Sequence, residues 1–247
     1  TTRHGINFWN ILLNGRILHF FEDNVVITGN SYWDFGSTTG GACIYNFLVY
    51  IVFAIWNFPL WVLEKYFSVD VMNNIPCLVY MKLLPVCATL LCAKIIGKIL
   101  KKTGATNERI KFTQYIYLSS TVILANVSIV ARYDCLCSIF MLLSLYYYLC
   151  KDFKMFIFYS GISFCFNYIS FIMFLPLLFL KEKDFCKIIK NVLFMLLPYI
   201  ITKVPFLGKT ASSMIGVTTL NYFLGFFSDT NGLFSWFIIF YAMIFVY

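Results

Sequence analysis

Charged side chains are scarce in this sequence. Asp, Glu, Lys and Arg make up 12% of the chain, while hydrophobic residues make up 61% and the mean hydropathy is +0.80. A soluble domain is about 25% charged, so this chain carries more apolar surface than one aqueous core could bury. The composition excludes an ordinary soluble domain and favours lipid as the solvent of much of this surface.

The groups that most often carry catalysis or bind metals are also few. The chain has two His, and it contains no GxSxG, HExxH, P-loop, GxGxxG or DxD motif. The missing motifs exclude the soluble enzyme classes built on them. Two His side chains offer almost no ligands for a His-based metal site. The nine Cys have no CxxC spacing, and most lie inside apolar runs. We interpret them as small hydrophobic core residues rather than disulfide or metal ligands.

Long apolar runs are what the sequence has in abundance. They cover residues 44–63, 76–97, 112–131, 135–150, 155–180, 192–207 and 233–247. The pattern predicts an all-α fold, a polytopic transmembrane helix bundle with an extracytoplasmic loop domain. Because the chain lacks an initiator Met and its last apolar run falls short of the roughly 20 residues that span a bilayer, we expect a fragment truncated at both ends.

Basic residues gather in three loops, 98–111, 151–154 and 181–190. The positive-inside rule places all three in the cytoplasm, and the net charge of +8 then reports orientation and anionic headgroups rather than nucleic acid. Run 155–180 is basic at both ends, so it should enter and leave on the same side. Two half-helices that turn near Asn167 satisfy this condition, and one long tilted helix is the alternative.

Run 44–63 raises a second conflict between loop charge and the number of membrane crossings. If run 76–97 ends in the cytoplasm, the segment before it is extracytoplasmic, and run 44–63 either crosses from inside or does not cross. Pro59 is expected to break the run, and Trp favours the headgroup layer. We therefore predict an interfacial or re-entrant helix at 44–63, within an extracytoplasmic loop domain 1–75 that also holds a short amphipathic helix from Asn7 to Phe21. A transmembrane helical domain, 76–247, follows.

Two polar patches are candidates for binding chemistry. Arg3 and His4 lie near the start of the chain, and Arg132, Tyr133 and Asp134 form a tight turn between two apolar runs. The charges of the loops predict that both patches face the extracytoplasmic side. Their cationic groups could bind a phosphate or a sugar there. A solvated loop end and an interfacial anchor pair are the alternatives. If the patches are functional, we expect them to converge at one cavity.

The order of these elements resembles the GT-C superfamily of membrane glycosyltransferases, which use polyprenyl-phosphate sugar donors. Arg3-His4, the aromatic pair Phe20-Phe21 and Tyr32-Trp33-Asp34 follow the family order of the first outer loop. Arg132-Tyr133-Asp134 stands where the family has Gln-Tyr-Asn or Gln-Tyr-Asp, and Asn167 stands where many members have Lys. The resemblance is strongest to the glucosyl- and mannosyltransferases of lipid-linked oligosaccharide assembly and their bacterial relatives.

The resemblance implies an inverting sugar transfer from a polyprenyl-phosphate donor to an acceptor hydroxyl, without metal or cofactor. It implies a carboxylate general base upstream of Thr1 and substrate-binding roles for Arg3, His4, Arg132, Tyr133 and Asp134. The partners it implies are membrane lipid, the polyprenyl-phosphate sugar and a glycan or lipid acceptor. The location is then a bacterial plasma membrane or the endoplasmic reticulum membrane.

Two other functional classes remain open from sequence. A transporter or flippase of lipid-linked envelope intermediates would favour paired charges deep in the membrane and inverted repeats, and the sequence indicates neither. A membrane scaffold without chemistry is the third possibility.

Overall fold

The chain is helical wherever its structure is described. The structure is a computed structural model and describes residues 2–21, 23–24, 46–125, 134–168 and 170–206. Within these ranges no strand is found, which confirms the all-α prediction for this part of the chain. The α-helices are α1 (Thr2–Leu13), α2 (Phe47–Phe67), α3 (Ile75–Lys102), α4 (Asn107–Ser119), α5 (Thr121–Ala125), α6 (Asp134–Leu149), α7 (Phe153–Phe166), α8 (Ser170–Lys181) and α9 (Phe185–Lys203).

Three described helices are long and apolar enough to cross a membrane. They are Phe47–Phe67 with 21 residues, Ile75–Lys102 with 28, and Phe185–Phe206 with 22, which joins α9 to the 3-10 turn Val204–Phe206. Helix α9 exposes large apolar side chains, among them Leu193, Phe194 and Ile201. Such a surface suits lipid rather than water. Length, composition and exposure therefore agree with the predicted membrane protein.

Local sequence signals account for several helix ends. The side chains of Asn46, Asn74, Thr106 and Asp152 accept hydrogen bonds from backbone amides at the starts of α2, α3, α4 and α7, as N-caps do. Helix α2 ends at Ser68 in the left-handed conformation, with φ 52°. After α3, Gly104 has φ +83°, which glycine adopts without steric cost.

The first helix and the second differ from the sequence prediction. The amphipathic helix predicted from Asn7 to Phe21 instead starts at Thr2 and ends at Leu13, where a turn through Gly15 with φ +70° follows. Pro59 was expected to break run 44–63, and this expectation is wrong, because α2 continues through Pro59. The predicted interfacial or re-entrant path of this helix stays a prediction.

Run 155–180 forms two helices rather than one. Helix α7 ends at Phe166, Asn167 is extended with φ −156° and ψ 127°, and α8 begins at Ser170. The rings of Phe164 and Phe171 lie 6.1 Å apart near the break, and those of Phe156 and Phe174 stack at 5.3 Å farther from it. The two helices therefore fold back on each other, as the half-helix alternative requires.

Apolar clusters and a polar seam hold these helices together. One cluster contains Phe156, Ile157, Phe174, Leu178, Ile188 and Met195, and so joins α7, α8 and α9. Between α6 and α7, the hydroxyls of Ser144 and Ser160 lie 2.6 Å apart, and the Ser163 hydroxyl donates to the Cys137 carbonyl at 3.1 Å. These hydroxyls are buried and hydrogen-bonded, so the seam ties the two helices without an unpaired polar cost.

The chain divides into two compact units that differ from the predicted domains. One comprises Thr1–Trp9 and Asn46–Thr202, and the other comprises Asn10–Tyr45 and Lys203–Tyr247. In the second unit the rings of Phe21 and Phe206 meet edge to face at 4.8 Å, and Arg16 forms an ion pair with Asp23. The predicted division at residue 75 describes membrane sides, and it stays a prediction.

Candidate functional site

Arg3 and Glu64 form an ion pair between α1 and α2. The Arg3 Nη1 atom donates to Glu64 Oε1 at 3.0 Å, and the two side chains are 47% and 33% exposed. Arg3 lies in the first turn of α1 and Glu64 in the last turn of α2. Each charge opposes the dipole of its own helix, so each depends on the other for compensation. The ion pair therefore holds a half-exposed guanidinium beside the C-terminal end of α2.

The other oxygen of Glu64 has no partner in the described part of the chain. Glu64 Oε2 is buried and accepts no hydrogen bond. A carboxylate oxygen in this condition is costly to leave unpaired. An unsatisfied buried group of this kind calls for an explanation, such as strain, a functional role or an ordered water or ion. The pair thus combines an exposed donor with a buried, unsatisfied acceptor.

A second carboxylate, Asp70, lies within the electrostatic reach of Arg3. The hydrogen bond from the Asn73 side chain, at 2.6 Å, is the largest cause that lowers the pKa of Asp70 below its ordinary value. The backbone amides of Met72 and Asn73 and the charge of Arg3 lower this pKa further. We call the Arg3–Glu64 ion pair, together with Asp70, whose carboxylate feels the charge of Arg3, the Arg3 cluster.

Aromatic rings and a lysine border the Arg3 cluster. The Lys65 ammonium lies 4.9 Å from the centre of the Trp61 ring and 5.7 Å from that of Tyr66. Trp61 in turn packs against Trp9, whose indole N–H donates to the Ala54 carbonyl at 2.8 Å. Tyr66 is exposed beside the charged groups. Trp, Tyr and Lys in this arrangement are typical of the headgroup layer of a membrane.

His4 does not join Arg3. Its ring contacts the ring of Tyr50 edge to face, with 5.6 Å between the centroids. Tyr50 and Glu64 are 14 residues apart on α2, a rise of roughly 21 Å. The helices cross where Gly5 approaches Phe53, since a Cβ atom on Gly5 would lie 2.6 Å from the Phe53 carbonyl oxygen. Two neighbours in sequence are therefore directed to different parts of α2.

The predicted turn Arg132–Asp134 is described only at its last residue. Arg132 and Tyr133 lie outside the described residues, and Asp134 is the first residue of α6. The Cys92 thiol lies 3.7 Å from the carbonyl oxygen of the adjacent Cys135. Along α3, Cys92 is roughly 22 Å from Cys77, which clusters with Trp61 near the Arg3 cluster. The convergence of the two patches stays a prediction, and the described neighbours of the turn do not place it beside Arg3.

Sequence reasoning missed Glu64 as the ion-pair partner of Arg3, and Asp70 as a carboxylate that feels its charge. Both lie in the segment that follows run 44–63, where the only available signal was a pair of carboxylates after a long apolar stretch. Within the described ranges, no group of three or more His, Cys, Asp or Glu side chains could hold a metal ion. Comparison with known proteins finds no family model, no curated protein and no solved structure that matches the chain.

Proposed function

We propose that this chain belongs to a membrane glycosyltransferase of GT-C type, which transfers a sugar from a polyprenyl-phosphate donor to an acceptor hydroxyl with inversion. The observation that supports the proposal best is the Arg3–Glu64 pair, because it holds a guanidinium in place while leaving it half-exposed. A sugar phosphate offers the complementary group, since its phosphate accepts hydrogen bonds from a guanidinium.

The position of the pair suits a donor carried by a lipid. Lys65 lies over the rings of Trp61 and Tyr66, in the same end of α2 as Glu64, and side chains of these types are typical of the headgroup layer. A polyprenyl-phosphate sugar presents its phosphate in the headgroup layer, while its polyprenyl chain remains among the apolar helices. The aromatic border therefore supports a lipid-linked donor over a soluble nucleotide sugar.

Each group has a defined role in the proposed transfer. A carboxylate upstream of Thr1, which the family resemblance implies, takes the proton of the acceptor hydroxyl. The acceptor oxygen then bonds to the sugar C1 from the face opposite the phosphate, and the C1–O bond to the phosphate breaks. Arg3 stabilises the charge that develops on the leaving phosphate. Glu64 positions the Arg3 guanidinium through the hydrogen bond that its Oε1 atom accepts.

Substitution of Arg3 tests this proposal in the full-length protein. We expect Arg3→Ala to lower kcat/KM by about 100-fold, since removal of one donor from a developing oxyanion costs that much in other enzymes. Glu64→Gln should cost about 10-fold, because it keeps a hydrogen-bond acceptor but loses the charge that positions Arg3. The measurement is release of polyprenyl phosphate from short-chain polyprenyl-phosphate glucose and mannose by membranes that contain the protein.

Arg16→Ala provides the matched control. Arg16 is also an exposed arginine paired with a carboxylate, since its Nε and Nη2 atoms donate to Asp23 at 2.8 Å. We expect this variant to retain activity within about twofold, because an exposed ion pair contributes about 1 kcal/mol or less. Equal losses at Arg3 and Arg16, or full activity of Arg3→Ala, would contradict the proposed role.

A further inference from the structure

Five cations surround the corner between α3 and α4. They are Lys98, Lys101 and Lys102 at the end of α3, and Arg109 and Lys111 at the start of α4, and Glu108 is the single carboxylate in residues 98–111. All five are exposed. We call this surface the basic corner.

The basic corner is compact because its two helices meet closely. The Gln114 side-chain amide donates to the Ala93 carbonyl at 2.8 Å. A Cβ atom on Gly97 would lie 2.5 Å from Gln114 Nε2 and 3.4 Å from the Ile110 side chain. The cationic residues span a rise of roughly 6 Å on α3 and roughly 3 Å on α4. The cations therefore share one small surface rather than a flexible loop.

The stability of the helices explains only part of this charge. Lys101 and Lys102 lie in the last turn of α3, where the helix dipole favours cations. Arg109 lies in the first turn of α4 and Lys111 in its second turn, where the dipole disfavours them. Within the described part of the chain, none of the five cations has a carboxylate within ion-pair distance. The excess of positive charge is thus left for an external anion.

Helix α4 adds an apolar face beside these cations. Phe112, Tyr115 and Ile116 are 64%, 71% and 51% exposed, and α4 has no buried residue. Their spacing of three and four residues places them on one face of the helix. A short helix with cations at one end and exposed aromatic residues along one face is typical of helices that lie on a lipid surface.

We propose that the basic corner and the exposed face of α4 bind the anionic phospholipids of one membrane leaflet. The cations contact phosphate headgroups, and Phe112, Tyr115 and Ile116 contact the acyl region below them. This combination favours a lipid over a soluble polyphosphate, since a polyphosphate has no apolar part to cover the aromatic face. The proposal is independent of the sugar-transfer reaction, which uses a different surface.

A charge-matched pair of variants tests the inference in the full-length protein, purified in neutral detergent. Lys98→Gln, Lys101→Gln, Lys102→Gln and Lys111→Gln together remove four charges from the corner. The control carries Lys181→Gln at the end of α8, Lys183→Gln in the α8–α9 connection, and Lys187→Gln and Lys190→Gln in α9. It also removes four charges, from a region where Glu182 and Asp184 are near in sequence. Native mass spectrometry, titrated with dioleoyl-phosphatidylglycerol or dioleoyl-phosphatidylcholine, gives the apparent Kd of each lipid.

We expect the corner variant to bind phosphatidylglycerol at least about tenfold more weakly, because each cation near an anionic lipid contributes a severalfold factor in affinity. The control variant should stay within about twofold, and phosphatidylcholine should bind both variants alike. Phe112→Ser with Tyr115→Ser should weaken both lipids. Equal weakening in the two charge variants, or no preference for phosphatidylglycerol in the native protein, overturns the proposal. So does tripolyphosphate binding that matches phosphatidylglycerol binding and is unchanged by the two Ser substitutions.

Discussion

Asp70 organises the connection between α2 and α3. Its Oδ1 atom accepts from the Met72 amide at 3.1 Å, and its Oδ2 atom accepts from the Asn73 side chain at 2.6 Å. These bonds favour the charged carboxylate and hold its pKa below the ordinary value of 3.8. The stabilisation is therefore fully present above pH 3.8, and it is lost as the pH falls through the lower pKa of the folded state.

Asp70→Asn tests this linkage. At pH 7 we expect the native protein in detergent to unfold at a higher temperature than the variant, because the variant lacks the charged acceptor. Below pH 3.8 the difference in Tm should narrow, since the native carboxylate becomes protonated. Asn73→Ala should reproduce part of the effect by removing the strongest of these bonds. A difference in Tm that is the same at pH 3 and pH 7 would show that Asp70 acts without its charge.

At the scale of the elements, glycines set how closely the helices pack. A Cβ atom on Gly161 of α7 would lie 2.5 Å from the Met195 carbonyl oxygen of α9. On α3, a Cβ atom on Gly97 would lie 2.5 Å from Gln114 Nε2, the end of a flexible side chain. A backbone carbonyl within a helix cannot move aside alone, whereas the Gln114 amide can rotate and lose its bond to Ala93. Both Cβ contacts would be 2.5 Å, but the Gln114 side chain can move away more easily than the Met195 backbone.

We therefore expect Gly161→Ala to destabilise the protein more than Gly97→Ala. Overpacking that shifts backbone costs about 1–3 kcal/mol, and a lost hydrogen bond costs about 1 kcal/mol. Thermal unfolding in detergent, followed by circular dichroism, compares the two variants. If Gly97→Ala lowers Tm as much as Gly161→Ala, the distinction between backbone and side-chain obstacles is wrong.

At the scale of the whole molecule, the membrane sides of the loops are the main open prediction. Helix α3 is roughly 42 Å long, and it separates Asp70 from the basic corner. We expect cysteines placed at positions 70 and 109 in a cysteine-free protein to label from opposite sides of the membrane, and position 183 to label with 109. A membrane-impermeant maleimide, applied to whole and to permeabilised cells, measures this.

The same assay decides the path of α2. The predicted interfacial or re-entrant helix requires position 46 to label from the same side as position 70. Because α2 is continuous and roughly 31 Å long, opposite labelling of these two positions would show that it crosses. Labelling of 70 and 109 from one side would instead reject the whole assignment of sides.

The sequence by itself determined the helical class and much of the local structure. Its apolar runs predicted helices, and the basic loops at both ends of run 155–180 favoured a turn near Asn167, where the chain breaks between α7 and α8. Such features depend on hydropathy and on backbone preferences over a few residues, which a sequence displays directly. These features can be predicted without knowledge of which residues pack against each other.

Only the tertiary structure decided which of these local signals prevailed and which residues meet. Pro59 and Asn167 both predicted a break, yet α2 continues through Pro59 while α7 ends at Phe166, just before Asn167. Arg3 pairs with Glu64 across 61 residues of sequence, and its neighbour His4 packs against Tyr50. Each outcome depends on how helices cross and which side chains they bring together. That information lies in contacts between distant segments, and no local pattern carries it.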